Sequence, residues 1–183
     1  MKAFFDIDTQ IDFVVPGGAL YGEGAERVIP VVAALNRYAG DHGIALISTM
    51  CAHSEDSAEF RIWKPHCIKG THGQLKPEPT MLHDPAKQII IEKDDLDMFS
   101  NPEVIPLLNR LSIDDCYVYG VFTEYCVKCA IMGLLKTGRK VALVTDATAH
   151  LDPAEGARVV AEFMAAGGRC VSAAMFHLAS PAI

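Results

Sequence analysis

Short apolar runs alternate with helically spaced apolar patterns along almost the whole chain. That alternation restricts the fold more than any other feature. Strand-like runs cover Ala3 to Asp8, Ile44 to Thr49, Ile89 to Glu92, Cys116 to Val121, Val141 to Thr145 and Arg169 to Ala173. Helical spacing covers Gly24 to Ala39, with Val28, Val31, Val32, Leu35 and Tyr38 on one face, then Pro102 to Leu111 and Glu124 to Lys136. A last helix starts at Asp152-Pro153-Ala154-Glu155, where an N-cap acid precedes a proline at the first helical position. Repeated strand–helix succession predicts an α/β fold: three layers, α/β/α, around a central, mainly parallel six-stranded sheet. The 183 residues suit one domain spanning 1–183.

Composition narrows the function. Sixteen basic against 23 acidic residues leave a net charge of −7, which disfavours a nucleic-acid or anionic-membrane surface. No stretch reaches the roughly 18 apolar residues of a membrane helix. The short apolar N-terminus reads as a buried strand and not as a secretory leader. A cytoplasmic protein with reduced thiols is therefore expected, and its six cysteines become candidate nucleophiles or metal ligands instead of a disulfide framework.

In parallel sheets, function collects beyond the carboxyl ends of the strands. Those ends carry Asp8, then Cys51 and His53, then Lys93, then Phe122 to Cys126, then Asp146, so a carboxylate, a thiol, an imidazole and an amine share one edge. Cys126 lies at a strand-to-helix turn, where helix dipole and free N–H groups favour a thiolate and can hold an oxyanion. Asp8 is placed to take the thiol proton, and Lys93 to orient the carboxylate and stabilise the thiolate. A small packed cysteine, a turn aspartate and a solvated lysine are the plain alternatives. Cys126 and Cys129 share Cys-x-x-Cys spacing, but without the Trp and Gly-Pro of thioredoxin-like motifs, so Cys129 reads as packing. Cys116 and Cys170 read likewise as core.

Residues 50 to 88 form a long polar connection with four His and four Pro, a length usually tied to function. His53, Glu59 and His66, with Cys51, form a candidate set for zinc or another divalent ion; surface loop histidines are the alternative. Phe13 and Trp63 either anchor loops or line a pocket for a flat ring.

Four motifs in order resemble the isochorismatase-like cysteine hydrolase family, nicotinamidase branch: Asp8-Thr-Gln-Ile-Asp-Phe13, Trp63-Lys-Pro-His66-Cys-Ile-Lys-Gly-Thr-His-Gly73, Lys93, and Gly120-Val-Phe-Thr-Glu-Tyr-Cys126-Val. The resemblance implies a Rossmann-like fold and a catalytic triad of Cys126 (nucleophile), Asp8 (base) and Lys93. It implies a cis peptide at Val121–Phe122, with the backbone N–H groups of Phe122 and Cys126 as oxyanion hole. It implies a substrate ring held between Phe13 and Trp63, beside Val121, Phe122 and Tyr125. Its metal, expected to be zinc, would sit on His53, Glu59 and His66, with Cys51 replacing the usual aspartate. Tyr125 replaces a frequent histidine, and Phe122 a smaller residue. The implied reaction is hydrolysis of nicotinamide to nicotinate and ammonia through a thioester, in an enzyme that is often a homo-oligomer. Another small amide, carbamoyl or ureido substrate, a non-catalytic binding protein and a Cys126/Cys129 thiol–disulfide protein are the rival readings.

Overall fold

The structure, a computed structural model, describes residues 1–178. Its six strands are β1 (Lys2–Ile7), β2 (Ala45–Cys51), β3 (Gln88–Lys93), β4 (Asp115–Gly120), β5 (Lys140–Thr148) and β6 (Arg169–Val171). All pairings are parallel, in the order β3-β2-β1-β4-β5-β6. The helices are α1 (Ile11–Val14), α2 (Val28–Asp41), α3 (Val104–Arg110), α4 (Lys128–Lys136) and α5 (Pro153–Ala165). The expected three-layer arrangement is thus present.

Alternation along β1 divides its side chains between the two faces of the sheet. Ala3, Phe5 and Ile7 pack with Leu107, Leu108, Ile131, Leu134, Val159 and Phe163 from α3, α4 and α5. Phe4 faces the other way, into a core made with Val28, Val32 and Leu35 of α2 and with Phe176. Because β1 lies between β2 and β4, chain order reverses on either side of it. A crevice opens beyond the strand ends at such a reversal.

Two boundaries differ from the sequence expectation, each for a local reason. The helix expected from Glu124 begins as a wide turn, Thr123–Val127, in which Tyr125 has non-helical angles (φ −120°, ψ −106°), and α4 proper starts at Lys128. β5 runs on to Thr148, past a register shift against β4. Asp146 therefore lies within β5, where its carboxylate accepts from Ser172 Oγ (2.7 Å) and the Ala173 N–H (2.8 Å), away from the crevice.

The long connection is held by a buried polar anchor. The Lys76 ammonium reaches Asp6 Oδ1 at 3.1 Å with both side chains fully buried. Asn36 Nδ2 and Ser48 Oγ donate to Asp6 Oδ2 (3.0 and 3.2 Å), and Asn36 Nδ2 also donates to the Thr80 carbonyl (2.6 Å). A buried charge pair with its remaining lone pairs satisfied avoids the large penalty of an isolated buried charge.

Candidate active site

Asp8 follows the last residue of β1 and adopts a left-handed conformation (φ 48°), tolerable for aspartate. Asp8 Oδ1 accepts from Thr49 Oγ1 at 2.6 Å, and Oδ2 lies 2.8 Å from Lys93 Nζ. Lys93, the last residue of β3, also donates to the Asp95 carbonyl (2.8 Å) and reaches Cys126 Sγ at 3.6 Å. The structure thus brings Asp8, Lys93 and Cys126 together. Burial works against the charge on Asp8, but the Lys93 ammonium, Cys126 and Thr49 outweigh it and hold the carboxyl below its usual range. Burial likewise opposes the Lys93 charge, and Asp8 with the neighbouring thiols overrides it, raising the amine.

Gly120 makes the turn to Cys126 possible. It has φ +115°, and a Cβ there would collide with the Ile7 backbone. The chain passes close to β1 at this point, Val121 N–H donating to the Ile7 carbonyl at 2.9 Å. A cis peptide joins Val121 to Phe122, and the Phe122 carbonyl accepts from the Tyr125 and Val127 N–H groups (3.0 and 3.3 Å). The helix dipole invoked for Cys126 is set against two opposing influences. Contact with the Cys51 thiol, and then burial, push the Cys126 thiol upward, while α4 starts two residues later.

Cys51 stands between the two groups of side chains, its thiol touching the His53 ring on one side and the Lys93–Asp8 pair on the other. Its Sγ is 3.2 Å from Lys93 Nζ and 3.7 Å from Asp8 Oδ2. Asp8, Cys51 and Cys126 offer one ligand-type atom each within 4.8 Å of one another, and His53, Glu59 and His66 form a separate group by the same measure. Contact with the Cys126 thiol is the main influence lowering Cys51, to about 7, so the two thiols titrate as a unit. Gln10 fixes the backbone of Cys51 from both sides: its Oε1 accepts from the Cys51 N–H (2.7 Å) and its Nε2 donates to the Cys51 carbonyl (2.8 Å) and to the Gln74 carbonyl (2.7 Å). Sequence reasoning missed this role for Gln10, although the residue lies within the first motif.

In the second group, Glu59 bridges two histidines, Oε2 to His53 Nε2 at 3.7 Å and Oε1 to His66 Nε2 at 3.8 Å. The far ring nitrogens are engaged: His53 Nδ1 lies 2.5 Å from Asp94 Oδ1 and His66 Nδ1 2.7 Å from the Lys64 carbonyl. Asp94, also missed from sequence, orients His53 in the manner of a carboxylate behind a metal-ligating imidazole. His53 Nε2 is buried without a hydrogen-bond partner among the described residues. An orphaned, oriented imidazole nitrogen facing a carboxylate and a second imidazole suits a divalent cation, and the set has the N/O composition of a metal site with an open position.

Phe13, Trp63, Val121, Phe122 and Tyr125 wall one cleft with Cys51, Glu59, His66 and Cys126, as expected, and Leu20, Leu96 and Leu151 complete it. Phe13 is buried against the rings of His66 (5.4 Å) and Phe122 (5.9 Å), whereas Trp63 is half-buried, edge-on to Tyr125 at 5.2 Å. The cleft holds about 30 Å³ of cavity proper within about 400 Å³ of empty space that includes its open mouth. The Phe122 ring lines the cleft and also packs on Gly22, where a Cβ would approach it at 2.6 Å. Of the cysteines expected in the core, Cys116 is buried, but Cys129 and Cys170 are half-buried.

Known proteins are similar to this chain in sequence and fold. An Escherichia coli protein named nicotinamidase is 26% identical over 200 residues, covering 91% of this chain and 92% of the relative. The Saccharomyces cerevisiae nicotinamidase is 25% identical over 189 residues, covering 81% and 88%. The pyrazinamidase of Pyrococcus horikoshii, solved in complex with zinc, superposes with a TM-score of 0.84 at 28% identity over 93% of this chain and 98% of that one. Residues 2–175 match the sequence profile described as the isochorismatase domain, and the fold agrees: the chain belongs to the isochorismatase family and is one of its hydrolases.

Proposed function

We propose that the protein hydrolyses a small carboxamide through a thioester on Cys126, with nicotinamide, giving nicotinate and ammonia, as the substrate that fits best. The observation that supports this most is the convergence of the buried Asp8 and Lys93 on Cys126, which lines a narrow cleft with aromatic walls. Asp8, held ionised by Lys93, takes the Cys126 proton, and the sulfur attacks the amide carbon. The oxyanion forms against the backbone N–H groups of Phe122 and Cys126. The C–N bond breaks as Asp8 returns the proton to the leaving nitrogen, so ammonia departs. Asp8 then takes a proton from water, the hydroxide attacks the thioester carbon, and the C–S bond breaks to release the acid and restore the thiol.

Phe13 and Trp63 orient the ring, and Tyr125 closes the outer wall. His53, Glu59 and His66 would hold a divalent metal, zinc by analogy with the Pyrococcus horikoshii protein. When bound, it supplies a Lewis-acidic point for a ring nitrogen. Cys51, turned towards Lys93, is not part of that ligand set in this reading.

A second reading, a carbamoyl or other compact non-aromatic amide, is favoured by the small cavity proper, about 30 Å³, which the bulky Phe122 ring helps to wall. Ammonia release from nicotinamide, pyrazinamide and simple carbamoyl compounds separates the two. Wild-type turnover of nicotinamide with none in Cys126→Ala supports the first reading. Turnover of carbamoyl compounds alone replaces it with the second, and equal activity in wild type and Cys126→Ala ends both.

A further inference from the structure

Cys51 has no part in the hydrolysis just described, yet its thiol is packed into the floor of the reaction site. β1 stops at Ile7, and beyond its end the side chains of β2 and of the turn after β4 meet over Asp8. The two thiols arriving there share one ammonium, Lys93 Nζ lying 3.2 Å from Cys51 Sγ and 3.6 Å from Cys126 Sγ. Both sulfurs and an Asp8 oxygen fall within 4.8 Å of one another, and both cysteines line the cleft although only 1% and 6% of their surfaces are exposed. Gln10 clamps the Cys51 backbone at N–H and carbonyl, so this thiol is held in place.

We propose that Cys51 and Cys126 form a paired oxidation site, in which a hydroperoxide converts Cys126 to a sulfenic acid and Cys51 resolves it as a disulfide. The inference rests on Cys126 being the reactive thiol. Asp8 takes the Cys126 proton, the sulfur attacks one peroxide oxygen, the O–O bond breaks, and the leaving hydroxide collects the proton from Asp8 as water. The Cys51 sulfur then attacks the Cys126 sulfur, the S–O bond breaks, and the departing hydroxide takes the Cys51 proton as a second water. Cys126 is oxidised by two electrons and the peroxide reduced by two, and an external dithiol reverses the bond by exchange. The cavity proper, about 30 Å³, admits an oxidant the size of hydrogen peroxide. Without a resolving thiol, a sulfenic acid in the same place proceeds to sulfinic and sulfonic acids, which thiols do not reverse.

The other cysteines are placed less well. Cys67 is buried with its sulfur towards the Gly73 carbonyl, and Cys116 sits near the opposite end of the sheet, at the start of β4. Cys129 lies on α4, half-buried, with Asp97 and Asp95 near its thiol. It is the competitor that Cys-x-x-Cys spacing alone would choose.

The test treats the full-length protein with hydrogen peroxide, alkylates the remaining thiols, and reads intact mass and peptide cross-links. The expected product has lost two hydrogens per chain, carries a Cys51–Cys126 cross-link, and regains amidase activity with dithiothreitol. In Cys51→Ser, Cys126 should instead gain two or three oxygens, and none of the activity lost to peroxide should return, relative to that variant's own untreated sample. A Cys126–Cys129 cross-link, or oxidised Cys126 beside an alkylated Cys51 in the wild type, overturns the proposal whether or not Cys51→Ser folds. A Cys51–Cys126 cross-link in a protein without amidase activity would sink the proposed function and leave this inference standing.

Discussion

Asp8 and Lys93 form a fully buried ion pair at 2.8 Å, and their titration bears on stability at both ends of the pH range. The folded state holds Asp8 below its unfolded value. Its contribution is therefore complete above about pH 4 and is lost as pH falls through the folded value. Lys93 is raised, so its contribution is complete below about pH 10 and is lost as pH rises through its folded value. Unfolding followed by circular dichroism should show an acid limb from Asp8 below about pH 4 and an alkaline limb from Lys93 above about pH 10. Lys93→Met should lose about 3–5 kcal/mol by stranding the buried carboxylate, and should lack the alkaline fall; an unchanged alkaline limb would refute the assignment. In the wall of the cleft, Phe122→Ala should raise kcat/KM for bulkier ring amides relative to compact ones by about tenfold or more, measured as competing ammonia release. The triad was legible because each member sits at a strand end that apolar patterning locates. The role of Gln10 was not, because it depends on the ends of β1 and β2 lying side by side. The direction of the Cys51 thiol was hidden for the same reason: spacing places residues 51 and 53 near one another, but only the stopping point of β1 decides which of them meets Asp8.

At the scale of elements, the turn that carries Cys126 is braced from the segment entering α5. Glu124 Oε1 accepts from the Leu151 and Asp152 N–H groups (2.7 and 2.8 Å), tying the start of the wide turn to the segment that enters α5. Asp152 then caps that helix, its Oδ1 accepting from the Ala154 and Glu155 N–H groups (2.8 and 3.3 Å). Asp152→Ala should cost about 1 kcal/mol of stability with little effect on turnover. Glu124→Ala should cost a similar amount, from about two modest hydrogen bonds, and should lower kcat more than it raises KM, because it loosens the turn that carries Cys126. Equal kinetic effects in the two variants would show that Glu124 acts only on stability. The α5 cap was legible from Asp152-Pro153. The true start of α4 was not, because the apolar spacing continues through Tyr125 and only its backbone angles reveal the break.

For the whole molecule, the largest expected response is to metal. Saturating zinc at about a hundred times its dissociation constant should stabilise the protein by about 2.7 kcal/mol, a chelator should reverse the shift, and His53→Ala should abolish it. A zinc response that survives in His53→Ala would place the ion elsewhere. Among the described residues no helix is long and apolar enough to cross a membrane. The sheet and its helices were readable from periodicity, since a two-residue and a 3.6-residue repeat leave different apolar patterns. The path of residues 52–87 was not, for it has little periodicity and is ordered by isolated polar contacts.

The Lys76–Asp6 pair changes what that connection is. A segment of short turns that looks replaceable is fastened to the centre of the sheet through side chains no solvent reaches. Amide hydrogens near Thr80 should then exchange with deuterium on the timescale of global unfolding, while the exposed stretch Ser54–Asp56 exchanges early. A protease should nick the chain at Ser54–Asp56 and leave two fragments that still elute together. Grafting the loop from a relative without its lysine should unsettle the sheet before it alters selectivity.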